Sequence, residues 1–384
     1  MANAAPTQAV NPTAKNGPTP VIPFPLASRK MSRFSFTLGT TALDSASSTP
    51  LSPVQIPAVG YLSHLVLEVT VTVPATAGAT FNADGPFNAL QNIEFKTAAG
   101  NDIIVPVNGY TQYLMNKYGC QYAVAPYSDE RLTRQYVAAP TAATAAHFFL
   151  TVPLEIDAGS GYGSIPALAS NRSYQLNVTL AAISTLFGGT LPASGNITIN
   201  GIAEYWSEPP ASTASGAAQA TAPTGVGTVS QWQIEMPAVT PGDKLIKSNN
   251  VGNVIRTLIF VLRNAAGARV DADWPAVSEL YLDNEPMFYL TNTYWENLMV
   301  KQFGLTAANK DVAQGLDTGV YVIPFHALAG GLAGDPANSR SQLLPTVDAS
   351  QLQIRGTSFG ANASTLQIIT NSVIPTDAAT LYAR

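Results

Sequence analysis

Hydrophobic and polar positions alternate with a period of two over most of the chain from Met31 onward. Phe34, Phe36 and Leu38 alternate with Ser35 and Thr37, the pattern of a half-buried strand. Leu62 to Val73 reads as one long strand closed by Pro74, and Leu90 to Phe95 as another, followed by a turn at Ala98-Ala99-Gly100-Asn101. Further strands are predicted at Phe148 to Leu154, Tyr174 to Leu180 and Ile197 to Trp206. Residues 108–118 break the alternation. There Tyr110, Tyr113, Leu114 and Tyr118 recur at three- and four-residue spacing, which predicts a short amphipathic helix stopped by Gly119.

The second half repeats this order. Val229 to Met236 alternates around Trp232, Ile234 and Met236, and Val254 to Leu262 matches the long strand at 62–73. Val277 to Leu282 corresponds to Leu90 to Phe95. A second helix pattern, Tyr294 to Met299, then runs to Lys301-Gln302-Phe303-Gly304, where the first copy ended Asn116-Lys117-Tyr118-Gly119. Val152-Pro153-Leu154 with Ala158-Gly159 returns as Ile323-Pro324-Phe325 with Ala329-Gly330, and Gln175 to Val178 returns as Gln351 to Ile354. Each match is weak alone. Their common order, with a helix in the same place, predicts a duplicated sandwich.

The polar, proline-flanked stretch 207–225 is the clearest boundary. It divides the chain into a proline-rich arm (1–30), a first sandwich (31–206), a linker (207–225) and a second sandwich (226–384). About eight strands per copy with long connections predict two tandem jelly rolls, an all-β fold with a short helix in each. An immunoglobulin-like sandwich would need only about 100 residues per copy. The excess is assigned to loops at 39–61, 119–146, 305–318 and 328–346. The arm has no core of its own and is expected to be flexible, or ordered only by lying against neighbours.

Composition sharpens the picture. Charged residues make up 11% of the 384 residues, against about 25% in an average soluble domain, so much of the outside is expected to face other protein. The net charge of −5 carries no basic block, and nothing resembles a nucleic-acid groove. Cys120 is the only cysteine, which excludes an intrachain disulfide. The first residues show no basic region before an apolar run, so synthesis in a cytoplasm without a signal peptide is expected, and no apolar stretch is long enough to cross a bilayer.

Candidate chemistry is sparse. His64, His147 and His326 share no metal-ligand spacing. Gly356-Thr357-Ser358-Phe359-Gly360 fits a nucleophile elbow in letters only: strand character follows it, no histidine comes later, and a β-turn accounts for it. Gly159-Ser160-Gly161-Tyr162-Gly163 lacks the lysine and helix of a phosphate loop and reads as a flexible loop. Among the scattered acids (Glu94, Asp129-Glu130, Asp271, Asp273), the Asp283-Asn284-Glu285 turn is the best divalent-ion candidate, though unpatterned. No catalytic residue, cofactor or metal site is assigned. Tyr110, Tyr113 and Tyr118, with Tyr289, Tyr294, Trp295 and Phe303, exceed what two short surface helices need; part covers the sandwich ends and part suits a subunit interface.

At residues 84–95, at Val152-Pro153-Leu154, and at Ala167 to Leu180 with Asn171-Arg172 opening its strand, the chain resembles the double jelly-roll major capsid proteins of tailless, membrane-containing icosahedral viruses, tectivirus-like bacteriophages above all. The resemblance covers about 31–384. It implies a virion protein, made in the host cytoplasm, whose homotrimers with a pseudo-hexagonal base tile a shell. It also implies penton and minor capsid partners, a double-stranded DNA genome, and an internal membrane approached by the arm through Arg29, Lys30 and Arg33. The arm departs from relatives that begin with an amphipathic helix. Two other classes stay open: a two-domain carbohydrate-binding or adhesion protein, and, behind it, a glycoside hydrolase without a credible acid pair.

Overall fold

The computed structural model describes residues 21–57, 59–97, 99–119, 144–157, 159–168, 173–303, 317–325 and 343–374. Cys120, Asp129, Glu130, His326, Asn171, Arg172 and the Ala329-Gly330 pair lie outside them. In the first half the main strands are β1 (Lys30–Ala42), β2 (Val54–Ile56), β3 (Gly60–Thr72), β4 (Leu90–Lys96), β5 (Asp102–Val107), β6 (Thr144–Pro153), β7 (Tyr174–Leu180) and β8 (Asn196–Trp206). In the second they are β9 (Val229–Glu235), β10 (Gly242–Ser248), β11 (Val254–Arg263), β12 (Val277–Leu282), β13 (Glu285–Thr291), β14 (Val320–Pro324), β15 (Leu352–Phe359) and β16 (Thr365–Ile374). Helix α1 (Gly109–Tyr118) follows β5, and α2 (Asn292–Phe303) follows β13.

The two halves repeat strand for strand. The first pairs its strands in the orders β1-β8-β3-β6 and β2-β7-β4-β5; the second uses β9-β16-β11-β14 and β10-β15-β12-β13. Two four-stranded sheets with this connectivity enclose one core, so each half is a jelly roll. Register repeats as well. Pro153 lies opposite His64 in the first roll, and Pro324 opposite Thr257 in the second. Ile93 faces Val178, as Leu280 faces Ile354.

Alternation sets which side chains fill each core. In β3, Leu65, Leu67, Val69 and Val71 are fully buried while Val66, Glu68, Thr70 and Thr72 are half-buried. The chain can enter β3 only because residue 60 is glycine: its φ is +100°, and a Cβ there would lie 2.4 Å from the Trp206 carbonyl oxygen. Asp283 and Asn284 both take positive φ and turn β12 into β13 in the manner of a tight hairpin.

Three expectations need correction. The 39–61 stretch is not all loop, because Val54–Ile56 pairs with β7. Residues 356–359 lie within β15, and the turn begins only at Gly360. The 159–163 loop is pinned rather than flexible: Tyr162 is buried, Asp157 Oδ1 accepts from the Gly159 N–H at 2.8 Å, and Asp157 Oδ2 accepts from the Ser160 hydroxyl at 2.6 Å.

The described part of the arm folds against its own chain. Residues 24–27 form one helical turn whose Phe24 ring packs on Tyr61 (centroids 5.3 Å apart) and Trp206 (5.9 Å). Ile22 bridges Gln219 in the 207–225 segment, and the Tyr61 hydroxyl donates to the Thr221 carbonyl at 3.2 Å.

Candidate functional site

The two rolls meet along a seam in which charged side chains from both are paired. β5 is the outer strand of the first roll's second sheet. It comes alongside β9 through the parallel pair Ile104 and Trp232, which joins a sheet of each roll into one. Helix α1 leaves β5 at Asn108, whose side-chain oxygen accepts from the Thr111 N–H at 2.7 Å. It then packs against β11 of the second roll. Tyr110, Thr111, Gln112, Tyr113, Leu114, Met115, Lys117 and Tyr118 are all buried, so α1 presents no free face. All ten residues of β11 are buried too, its outer face being covered by α1, whereas the outer face of the equivalent β3 is half open.

Polar groups in the seam are matched across it. Asp84 of the first roll takes Arg263 at 2.9 Å and Arg269 at 3.0 Å from the second, and both guanidinium groups lie over the Tyr110 ring. Arg269 also donates to the Ala83 and Thr318 carbonyls. Lys117 Nζ meets Asp317 Oδ2 at 2.7 Å, and the Tyr118 hydroxyl donates to Asp317 Oδ1 at 2.5 Å. Arg256 donates to the Gly119 carbonyl at 2.8 Å, and Gln367 to the Thr111 hydroxyl at 3.0 Å. Burial pushes the Tyr110 hydroxyl well above the ordinary tyrosine range, against the pull of Arg269. A buried ion pair is expensive to desolvate but fixes geometry once every member is partnered. The seam therefore holds two rolls in one mutual orientation.

A second polar group closes the first roll where the arm docks. The buried Glu155 carboxylate accepts from Lys30 at 2.7 Å and from the Trp206 indole at 2.9 Å. Lys30, expected toward lipid head groups, is thus committed inside its own chain. His64 hydrogen-bonds Ser63 Oγ through Nδ1 at 2.8 Å and approaches Glu204 through Nε2 at 3.2 Å. Serine, histidine and glutamate together invite comparison with a hydrolase triad. The ring nitrogens are used in the opposite sense, and the Ser63 side chain is fully buried, beyond reach of a substrate carbonyl.

The remaining predicted positions are dispersed. His147 pairs with Glu68 at 2.9 Å on the outer face of the first roll. Ser358 sits exposed with φ +67°, its N–H bonded to Asp243. Asp283 Oδ1 accepts from the Ser350 N–H and hydroxyl and from the Gln351 N–H, which ties the hairpin turn to the 350s loop. Among the described residues no group of three acidic, histidine or cysteine side chains is placed to hold a metal ion. The aromatic helices divide. Tyr110, Tyr113 and Tyr118 are buried in the seam and Trp295 and Phe303 in the second roll, while Tyr289 (63% exposed) and Tyr294 (53%) face outward.

Sequence reasoning missed the seam residues Asp84, Lys117, Arg256, Arg263, Arg269 and Asp317. One signal was present: Arg256 and Arg263 punctuate the mostly apolar strand 254–263, and a charge inside such a strand needs a buried partner.

No family model matches the sequence, and no curated protein matches it. Solved structures do. A quasi-atomic model of the PBCV-1 virus capsid superposes with a TM-score of 0.55 at 14% identity, over 90% of this chain and 94% of that one. The major capsid protein of STIV, the Sulfolobus turreted icosahedral virus, gives 0.58 at 12% identity, over 91% and 99%. The Faustovirus major capsid protein gives 0.54 at 11%, over 91% and 90%. At these identities the likeness establishes the fold, a double jelly roll matched over nearly the full length of each.

Proposed function

We propose that this chain is the major capsid protein of a tailless icosahedral virus, acting as a homotrimer that tiles the shell. The observation that carries the reading is the strand-for-strand repeat of two jelly rolls locked by a buried seam. A threefold trimer of such a chain presents six similar blocks, so its outline fits a hexagonal lattice that a threefold trimer of single rolls would not fill. Low surface charge limits repulsion between neighbouring trimers.

The likeness to viral capsid proteins over nine-tenths of the chain supports this reading, and so does the use of the seam's charges for structure rather than chemistry. The words at 84–95 and 152–180 favour a tectivirus-like bacteriophage. Penton and minor capsid proteins, and an internal membrane beneath the arm, complete the proposed surroundings. Arg29 stands nearest to serving the membrane contact, since Lys30 is bound to Glu155.

Light scattering of the purified protein is expected to give about 120 kDa, three times the 40.2 kDa chain. Electron microscopy of concentrated protein is expected to show trimers on a hexagonal lattice. Monomers at micromolar concentration that bind a glycan would overturn the reading in favour of the adhesion class.

A further inference from the structure

The internal repeat also shows which side chains the fold does not need. On the outer face of the second roll's β10-β15-β12-β13 sheet, Leu245, Tyr281, Asn284, Gln353 and Arg355 line an open cleft of about 280 Å³. Register identifies the same places in the first roll. Gln353 lies opposite Tyr281 as Asn177 lies opposite Glu94, and Arg355 lies opposite Glu279 as Thr179 lies opposite Asn92. Leu245 flanks Arg355 where Pro50 flanks Thr179. In the first roll the polar groups at these places serve one another: Asn177 donates to Glu94 at 2.7 Å, and Lys96 meets Glu94 at 2.9 Å. A jelly roll is thus built with Pro, Glu, Asn and Thr there, so Leu, Tyr, Gln and Arg answer no demand of the fold.

The chemistry left free in the cleft is mixed. The Tyr281 hydroxyl donates to Glu279 Oε2 at 2.7 Å, and Arg355 reaches the same oxygen at 3.4 Å. The guanidinium charge is therefore matched while 48% of its side chain stays exposed. Gln353 is only 5% exposed although it points outward from the sheet, between the core residues Leu352 and Ile354. Its Nε2 donates to Gln351 Oε1 at 2.6 Å, and Gln351 Nε2 donates in turn to Asn284 Oδ1 at 3.0 Å. That chain of amides leaves the Gln353 carbonyl oxygen as an acceptor and the Asn284 N–H groups as donors, neither engaged among the described residues. Leu245, 54% exposed, supplies an apolar wall.

We infer that this cleft is a binding site for a neutral sugar ring. A pyranose carries hydroxyls that each donate and accept, set around a ring with an apolar C–H face. An anion would ask for donors alone and a metal ion for acceptors alone. The cleft offers both, and the one cation among its lining residues is already matched by Glu279. Leu245 and the Tyr281 ring take the C–H face, Arg355 and Asn284 donate, and Gln353 accepts. The hydrogen bonds that hold Tyr281 and Gln353 are in place before the ligand arrives, which lowers the ordering cost of binding. A site open to solvent and one ring wide binds weakly, but the proposed shell would repeat it in every copy and convert weak binding into avidity. The cleft lies within the second roll, so the site itself does not depend on the trimer.

The test is saturation-transfer NMR on the full chain, with D-glucose, D-galactose, D-mannose and N-acetyl-D-glucosamine offered singly at millimolar concentration. At least one is expected to take up saturation, most strongly at the protons of its apolar face, and sodium acetate should not displace it. Leu245→Arg, at an exposed position, fills the cleft, and Arg355→Ala removes a donor. Each should weaken binding by about tenfold or more, with the circular dichroism spectrum and the oligomeric mass unchanged. No transfer to any of these sugars, or transfer unaltered in both variants, would overturn the site. Displacement by acetate would mark an anion site and overturn the neutral ligand. Trimers that bind no sugar would sink this inference and leave the capsid reading standing, whereas monomers that bind one would defeat the capsid reading and leave the site standing.

Discussion

A Cβ at Gly119 would lie 1.9 Å from Cη2 of Trp232, closer than any real contact, and Trp232 has no free space to retreat into at 1% exposure. Gly119→Ala should therefore destabilise the protein by about 1–3 kcal/mol through overpacking, read as a lower urea midpoint with the slope unchanged. Nearby, Lys117 and Asp317 keep 3% and 0% of their side-chain surface. Asp317→Ala takes the carboxylate at 2.7 Å away from the buried ammonium, and should cost about 3–5 kcal/mol. The double variant Lys117→Met, Asp317→Leu removes both charges together and should recover most of that loss. A double variant as unstable as Asp317→Ala alone would mean that packing, not charge, set the cost. Tyr205 illustrates the same environment without an ion: burial alone pushes its hydroxyl up to about 12.

Strands rather than single residues govern the response to acid. Glu204 of β8 is hydrogen-bonded by His64 of β3, and Glu68 of β3 by His147 of β6, so two cross-strand pairs stitch three neighbouring strands. Each imidazole hydrogen bond holds its carboxyl below the ordinary value of 4.5. A carboxyl lowered in the folded state contributes stability that is complete above that ordinary value and is lost as pH falls through the lowered one. The contribution of these two carboxyls to the urea midpoint should therefore hold above 4.5 and fall away below it. The double variant His64→Ala, His147→Ala should flatten that acid limb. An identical acid limb in the variant would show that the pairs carry no linkage. The same scale explains what the sequence made legible. Interior strands such as β3, β7, β8 and β12 stand out by alternation, and β11 by its apolar run. The strands that escaped reading were β2, β5, β10 and β13, the outer strands of the two second sheets. Outer strands carry the features that blur alternation: Pro106 in β5, Pro286 in β13, and Asp243, Lys244 and Lys247 in β10. The seam was illegible for a different reason, since its ion pairs join residues close to two hundred positions apart, and no local pattern records such a pairing.

For the molecule as a whole, one apolar cluster runs without interruption from Leu65 and Phe95 of the first roll to Leu258 and Phe260 of the second. Two domains sharing a core should unfold together, so calorimetry is expected to show a single transition, and residues 226–384 made alone should fail to reach a cooperative fold. Two resolved transitions would show instead that each roll stands by itself. The buried helix between the rolls also has a consequence in time. Thr111 of α1 receives its partner Gln367 from a strand 256 residues further along the chain. At ribosomal speeds of about 5–20 residues per second, that helix waits roughly ten to fifty seconds with its apolar side uncovered. For the proposed shell subunit, made in very many copies at once, half-made chains would then share one sticky helix, and the speed of translation, or a chaperone that masks α1, would set how much correctly folded chain a cell can yield.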